Sequence, residues 1–166
     1  IEYLIGKQSI IKNDFPLIDT NGLCNNPTTD QYDKGANIIH MIRMQMNNDT
    51  VYQNVIKKML RNFGNSVVSS QDIESFLLKE CTVINQAFFN QYLRTTLIPH
   101  LNIHINKKQT LLSFENTVDN FKMDLPIVDN KGQIKYYSVS NKPETIPHGI
   151  NEATRKLWKQ YLITTK

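Results

Sequence analysis

The chain has 166 residues, 40% of them hydrophobic and 20% charged, with 19 Lys and Arg against 15 Asp and Glu for a formal net charge of +4. That composition supports a packed core and excludes wholesale disorder, and the length suits one domain or two small ones. The cations are scattered and no Lys/Arg run exceeds two residues, so no nucleic-acid partner is expected. No apolar run approaches the length of a membrane span. The opening IEYLIGKQSI lacks both a Met and a basic leader, so no signal peptide is expected and the chain reads as an excised piece. Location therefore stays open.

Residues 1–29 carry Pro16, Asn21-Gly22 and Pro27, which are loop signals. A first helix is predicted from near Asp30 to Met46, with Ile39, Ile42 and Met46 on one face and Gly35 a turn earlier, allowing close packing. Asn47 to Thr50 ends it and caps the next. The second helix runs from Val51 to about Phe63, with Val55, Met59 and Phe63 as its stripe and Gly64 as its C′ residue. A third begins after Ser69. Ser69 and Asp72 have the spacing of a capping box, and Ile73, Phe76 and Leu77 should face inward. A fourth covers about Asn85 to Arg94, with Phe88, Phe89, Tyr92 and Leu93 apolar, and Pro99 forbids its continuation.

From Pro99 the apolar period shortens towards two. Leu101–Ile105 and Thr110–Phe114 read as one hairpin, and Lys122–Val128 with Gln133–Val139 as another. Residues 141–151, with Pro143, Pro147 and Gly149, look irregular, and Tyr161–Thr164 reads as a last strand. The expected fold class is α+β. About four helices (1–97) precede a small antiparallel sheet or sandwich (98–166).

Candidate sites are few. His100 and His104 have the spacing of two zinc ligands on a helix, but the intervening residues lack the Glu of H-E-x-x-H. Pro99 and the alternation of Leu101, Ile103 and Ile105 argue for a strand, in which residues four apart lie about 13 Å apart. One metal does not bridge that distance, and His40 and His148 have no partner at ligand spacing. Cys24 and Cys81 form no metal or redox motif, and spacing leaves both a pair and two free thiols open. No G-x-S-x-G, phosphate-binding glycine loop or paired carboxylates occur. What remains is Tyr32-x-Lys34-Gly35. On residue chemistry alone it is a helix N-terminus, with Asp33 at the positive dipole end.

The segment YDKGANIIHMIRMQM resembles the tyrosine helix of the aminopeptidase N family of zinc metallopeptidases, which also contains the leukotriene hydrolases. The family's Y-x-K-G-[AF] falls on Tyr32, Lys34, Gly35 and Ala36, and its frequent Leu-Arg on Ile42-Arg43. The similarity continues in order through VYQNVIKKMLRNFGNSVVSSQDIESFL and INQAFFNQYLRTTLIPHLNIHI. There Phe88, Phe89 and Pro99 match, while Tyr92 replaces the usual Trp. The QYLR wording and the stretch from Phe121 to Ile127 resemble bacterial members most. The ordered resemblance covers about residues 28–128.

The resemblance implies the C-terminal helical lobe of a thermolysin-like (gluzincin) catalytic domain, followed by the family's small β domain. It implies zinc as cofactor and a peptide as substrate in a full-length parent. H-E-x-x-H and the third-ligand Glu would precede Ile1. The isolated chain is therefore expected to hold no zinc, to hydrolyse nothing, and to pack against the missing N-terminal part. Tyr32 is the implied catalytic residue, donating its hydroxyl hydrogen bond to the oxyanion of the tetrahedral intermediate, whereas Lys34 and Gly35 are assigned to structure. The other reading is a non-catalytic binding or scaffold domain that kept the fold and lost the metal site. Upstream sequence separates the two.

Overall fold

Local capping chemistry sets the helix bounds. The computed structural model describes residues 8–19, 29–106 and 109–165. After a 3-10 turn at Gln8–Ile10, helix α1 spans Asp30–Met46 and stops where Asn47 turns left-handed at φ 47°, its N–H reaching the carbonyls of Arg43 and Met44. Helix α2, Asp49–Phe63, is capped by the Asn48 side chain, which accepts from the Val51 N–H. Helix α3, Ser70–Glu80, carries the expected capping box: Ser69 and Asp72 exchange backbone-to-side-chain bonds of 3.2 and 2.9 Å. Helix α4, Gln86–Arg94, is capped by Asn85 on the Phe88 N–H.

Gly64 is not the left-handed residue expected at the end of α2. Its φ is −59°, and the left-handed turn falls on Asn65 at φ 63°. The glycine is needed for space instead, because a Cβ there would lie 2.5 Å from the Leu60 carbonyl oxygen.

The inward face of α1 also differs from expectation. Ile39 is 38% exposed, while Ile38, Met41 and Ile42 enter the core. The buried stripe continues into Asp30, Lys34, Asn37 and Gln45. Four of those seven buried residues are polar, so a reading that places polar groups outside shifts the stripe by one residue.

In the second half, β1 (His100–Ile105) and β2 (Thr110–Glu115) form the first hairpin, and β3 (Lys122–Val128) with β4 (Ile134–Ser140) the second. The Asp129 carboxylate receives the N–H groups of Lys131 and Gln133 and holds the β3–β4 turn, in which Gly132 adopts φ 80°. Two elements were not expected. Strand β5, Glu144–Ile146, lies inside the segment read as irregular, and helix α5, Glu152–Trp158, follows an Asn151 cap. Tyr161 and Leu162 are buried core residues rather than strand, and the last strand, β6, is only Thr164–Thr165. The sheet order is β5-β2-β1-β6, with β6 parallel to β1, beside a separate β3-β4 pair. The fold is α+β, helices first, with one short parallel pairing in otherwise antiparallel sheets.

Helices and strands share one apolar cluster. Edge-to-face rings link them: Phe88 to Tyr92 at 5.1 Å, Tyr92 to Phe121 at 6.0 Å, and Phe121 to Phe114 at 5.5 Å. The buried Tyr92 hydroxyl donates to the Leu162 carbonyl, and burial pushes its pKa up. Gln45 brackets β3 by bonding both the carbonyl (2.6 Å) and the N–H (2.9 Å) of Asp124. Gln91 ties α4 to the Leu97, Asn116 and Val118 backbone. Such pairing satisfies groups that would otherwise cost about 1–3 kcal/mol each when buried. Among the described residues no helix is long and apolar enough to cross a membrane.

Cys81 is buried with its thiol 3.6 Å from the Met46 sulfur, and burial, aided by Glu80, pushes it up to about 11. Cys24 lies outside the described residues. Because the thiolate is the nucleophile, Cys81 should react with a thiol-specific reagent at pH 8 only as fast as the protein unfolds. Denaturant should restore full reactivity, and rapid labelling of Cys81 under native conditions would contradict the packing.

Candidate functional site

The first turn of α1 holds the most polar buried structure beside an exposed aromatic. Successive helical residues are turned by about 100°. Asp30 and Lys34, four apart, therefore share one side, and Tyr32 between them points about the opposite way. Lys34 is 0% exposed and Asp30 is buried, whereas Tyr32 is 70% exposed. The Tyr32 hydroxyl has no hydrogen bond among the described residues. Its backbone N–H closes onto the Thr29 carbonyl at 3.0 Å.

The buried side is held by the segment before the helix. The Asp30 carboxylate accepts the backbone N–H groups of Lys12 at 3.0 Å and Asn13 at 2.6 Å. The Lys34 ammonium donates to Asn13 Oδ1 at 2.6 Å and to the Thr95 carbonyl at 3.2 Å. Asn13 Nδ2 donates in turn to the Thr96 carbonyl. One turn on, Asn37 Oδ1 accepts from Gln8 Nε2 at 2.9 Å. Burial pushes the Lys34 amine down to about 8, and the nearby Asp30 charge opposes that shift. Lys34 is thus a buried, hydrogen-bonded group, out of reach of a ligand.

An open apolar groove of about 280 Å³ runs between α1, α3 and α4, with Gly35, Ile39, Ile73, Leu77 and Leu93 on its walls. Tyr32, Gly35 and Ile39 fall along one stripe of α1. The one carboxylate on the groove, Glu74, is engaged by Arg94 at 2.8 and 2.9 Å and by Gln86 at 3.1 Å. The expectation that Gly35 permits close packing fails within this chain: a Cβ there would meet nothing within 4 Å. Helix propensity then decides the effect of a substitution. Gly35→Ala should stabilise the chain by about 0.8–1.0 kcal/mol, read as an increase in the urea midpoint. A loss of stability would mean that something in this chain does fill that space.

The histidines do not converge. His100 opens β1, buried, with Nδ1 2.8 Å from the Thr164 hydroxyl and Nε2 3.9 Å from Glu115, while His104 is exposed further along the same strand. His40 contacts Gln160 at 3.3 Å and burial lowers its pKa. His148 Nδ1 lies 3.1 Å from the Gly149 carbonyl oxygen. Among the described residues no group of three His, Cys, Asp or Glu is placed to hold a metal ion.

Sequence reasoning singled out Tyr32 as a candidate and missed the contacts that anchor its helix. The i, i+4 spacing of Asp30 and Lys34 is a legible ion-pair signal, but nothing local marks Asn13 as their partner. The Glu74–Arg94 pair joins two helices and has no short-range signature. No family model matches the chain, and neither does any curated protein.

Proposed function

We propose that the chain supplies the tyrosine wall of a zinc-dependent aminopeptidase active site, with Tyr32 as the oxyanion-binding donor. The observation that carries the reading is an aromatic hydroxyl, 70% exposed, on a helical turn whose opposite side is buried and hydrogen-bonded. A donor aimed at developing charge must be held in place before the reaction, so that no reorganisation is needed in the transition state. A phenol on a short, stiff arm meets that requirement, and an accessible one without an internal partner is free to bond substrate. The ordered resemblance across residues 28–128 supports the same reading.

The described residues offer no ligand set for zinc. In this reading, the metal and its ligands belong to polypeptide on the N-terminal side of Ile1. The chain's own contributions are a hydrogen bond to the carbonyl oxygen of a peptide substrate and a surface for the rest of the catalytic domain.

The second reading, a non-catalytic binding unit of the same fold, is favoured by the open groove beside Gly35. The test begins with the coding sequence upstream of Ile1. H-E-x-x-H with a downstream Glu is expected there, together with zinc-dependent release of an N-terminal amino acid from an aminoacyl anilide. A longer protein without that motif, which holds no zinc and hydrolyses no aminoacyl substrate, would favour the binding unit.

A further inference from the structure

We propose that Asn13, by gripping Asp30 and Lys34 from outside the helix, is the positioning residue for Tyr32; this rests on the reading of Tyr32 as the donor to substrate. The first turn of a helix has unpaired N–H groups and frays unless something holds it. Thr29 sits in the helical region at φ −76° and makes no side-chain cap bond. Residues distant in the chain hold this turn. Asn13 places its backbone N–H on Asp30, its Oδ1 on the Lys34 ammonium and its Nδ2 on the Thr96 carbonyl. It does this from a left-handed backbone at φ 58°, a conformation Asn tolerates better than most residues.

Asp30 and Lys34 flank Tyr32 by two residues on either side, so gripping both fixes the rotation of the turn and with it the direction of the phenol. Misplacing a reacting contact by 1 Å costs about a hundredfold in rate. A tyrosine on a fraying turn would incur that loss whenever the turn opened. Lys34 is therefore structural in position and acts on the site only through Tyr32.

The informative variant is Asn13→Gly, which keeps the left-handed backbone and removes the side chain. Asn13→Asp keeps an acceptor for Lys34 as the conservative rescue. The first readout uses the 166-residue chain and amide hydrogen exchange at Lys34, Gly35 and Ala36, whose N–H groups close onto the carbonyls of the first turn. Exchange there should speed up at least tenfold in Asn13→Gly, stay near the original rate in Asn13→Asp, and be unchanged in α3. Unchanged exchange at those amides, or an equal rise throughout α1 and α3, would overturn the proposal.

The second readout is kinetics on the zinc-loaded full-length protein. Asn13→Gly should lower kcat about tenfold with KM unchanged, and should add nothing in a Tyr32→Phe background. Independent, multiplying losses would overturn the positioning role. Unchanged kcat in Tyr32→Phe itself would instead overturn the reading of Tyr32 as donor, with the exchange result left to stand by itself.

Discussion

Replacing Tyr32 by Phe is expected to lower kcat about a hundredfold or more, with KM and stability close to their original values. The substitution removes one hydroxyl and leaves the ring. That ring is 70% exposed, and surface changes away from special features stay within about 0.5 kcal/mol. The fold has little to lose. The reaction has much more, because one preorganised donor to an oxyanion contributes about 2.7–4 kcal/mol of transition-state stabilisation. The substrate carbonyl carries only partial charge, so the bond is weak in the ground state and strong only as charge develops. An interaction of that kind lowers kcat and kcat/KM together. The measurement is steady-state kinetics on the zinc-loaded full-length protein, with metal content matched between variants. A near-normal kcat would reduce Tyr32 to an exposed aromatic in a helix start.

Elements governed by neighbours in sequence were legible. The bounds of α1 were read as Asp30 to Met46 and observed there. The Ser69–Asp72 box and the Asn85 start of α4 were equally local. Both hairpins followed from alternation and turn residues. Several of the misses come from partnership at a distance. Strand β5 has three residues and exists because β2 offers it an edge, with Ile146 opposite Thr110. Helix α5 was hidden by Pro143, Pro147 and Gly149 just before it. Yet Asn151 is a standard cap, and Trp158 anchors the helix by donating to the Pro126 carbonyl at 2.9 Å. The candidate site divides in the same way. Tyr32 could be picked out from its neighbours, whereas Asn13 and Thr95, which hold its helix, lie 21 and 61 residues from Lys34. Hydrogen bonds across such separations leave no periodicity to read.

Lys34→Met should destabilise the chain by about 2–4 kcal/mol, because buried acceptors lose their donor. Two effects oppose each other. Burial of the amine is unfavourable, as its lowered pKa shows, and methionine of similar length would relieve that. Against it, Asn13 Oδ1 and the Thr95 carbonyl lose their donor, and the buried Asp30 carboxylate loses the nearby positive charge. Each orphaned acceptor costs about 1–3 kcal/mol, so the losses win. For a chain of this size the melting temperature should fall by roughly 10 °C. The pH dependence identifies the cause. The folded-state pKa of Lys34 is about 8, below the usual 10.5. Between those values the unfolded chain binds the proton and the folded chain does not, so the lysine's contribution to stability rises with pH across that window. Below about pH 8 both states are protonated and the contribution is at its lowest. The stability gap between the original chain and Lys34→Met should therefore widen from pH 8 to pH 10, measured as the shift in urea midpoint at each pH. A gap that stays constant would place the amine in water, outside the clasp. A variant as stable as the original would mean that Asp30 and Asn13 hold the first turn of α1 without Lys34.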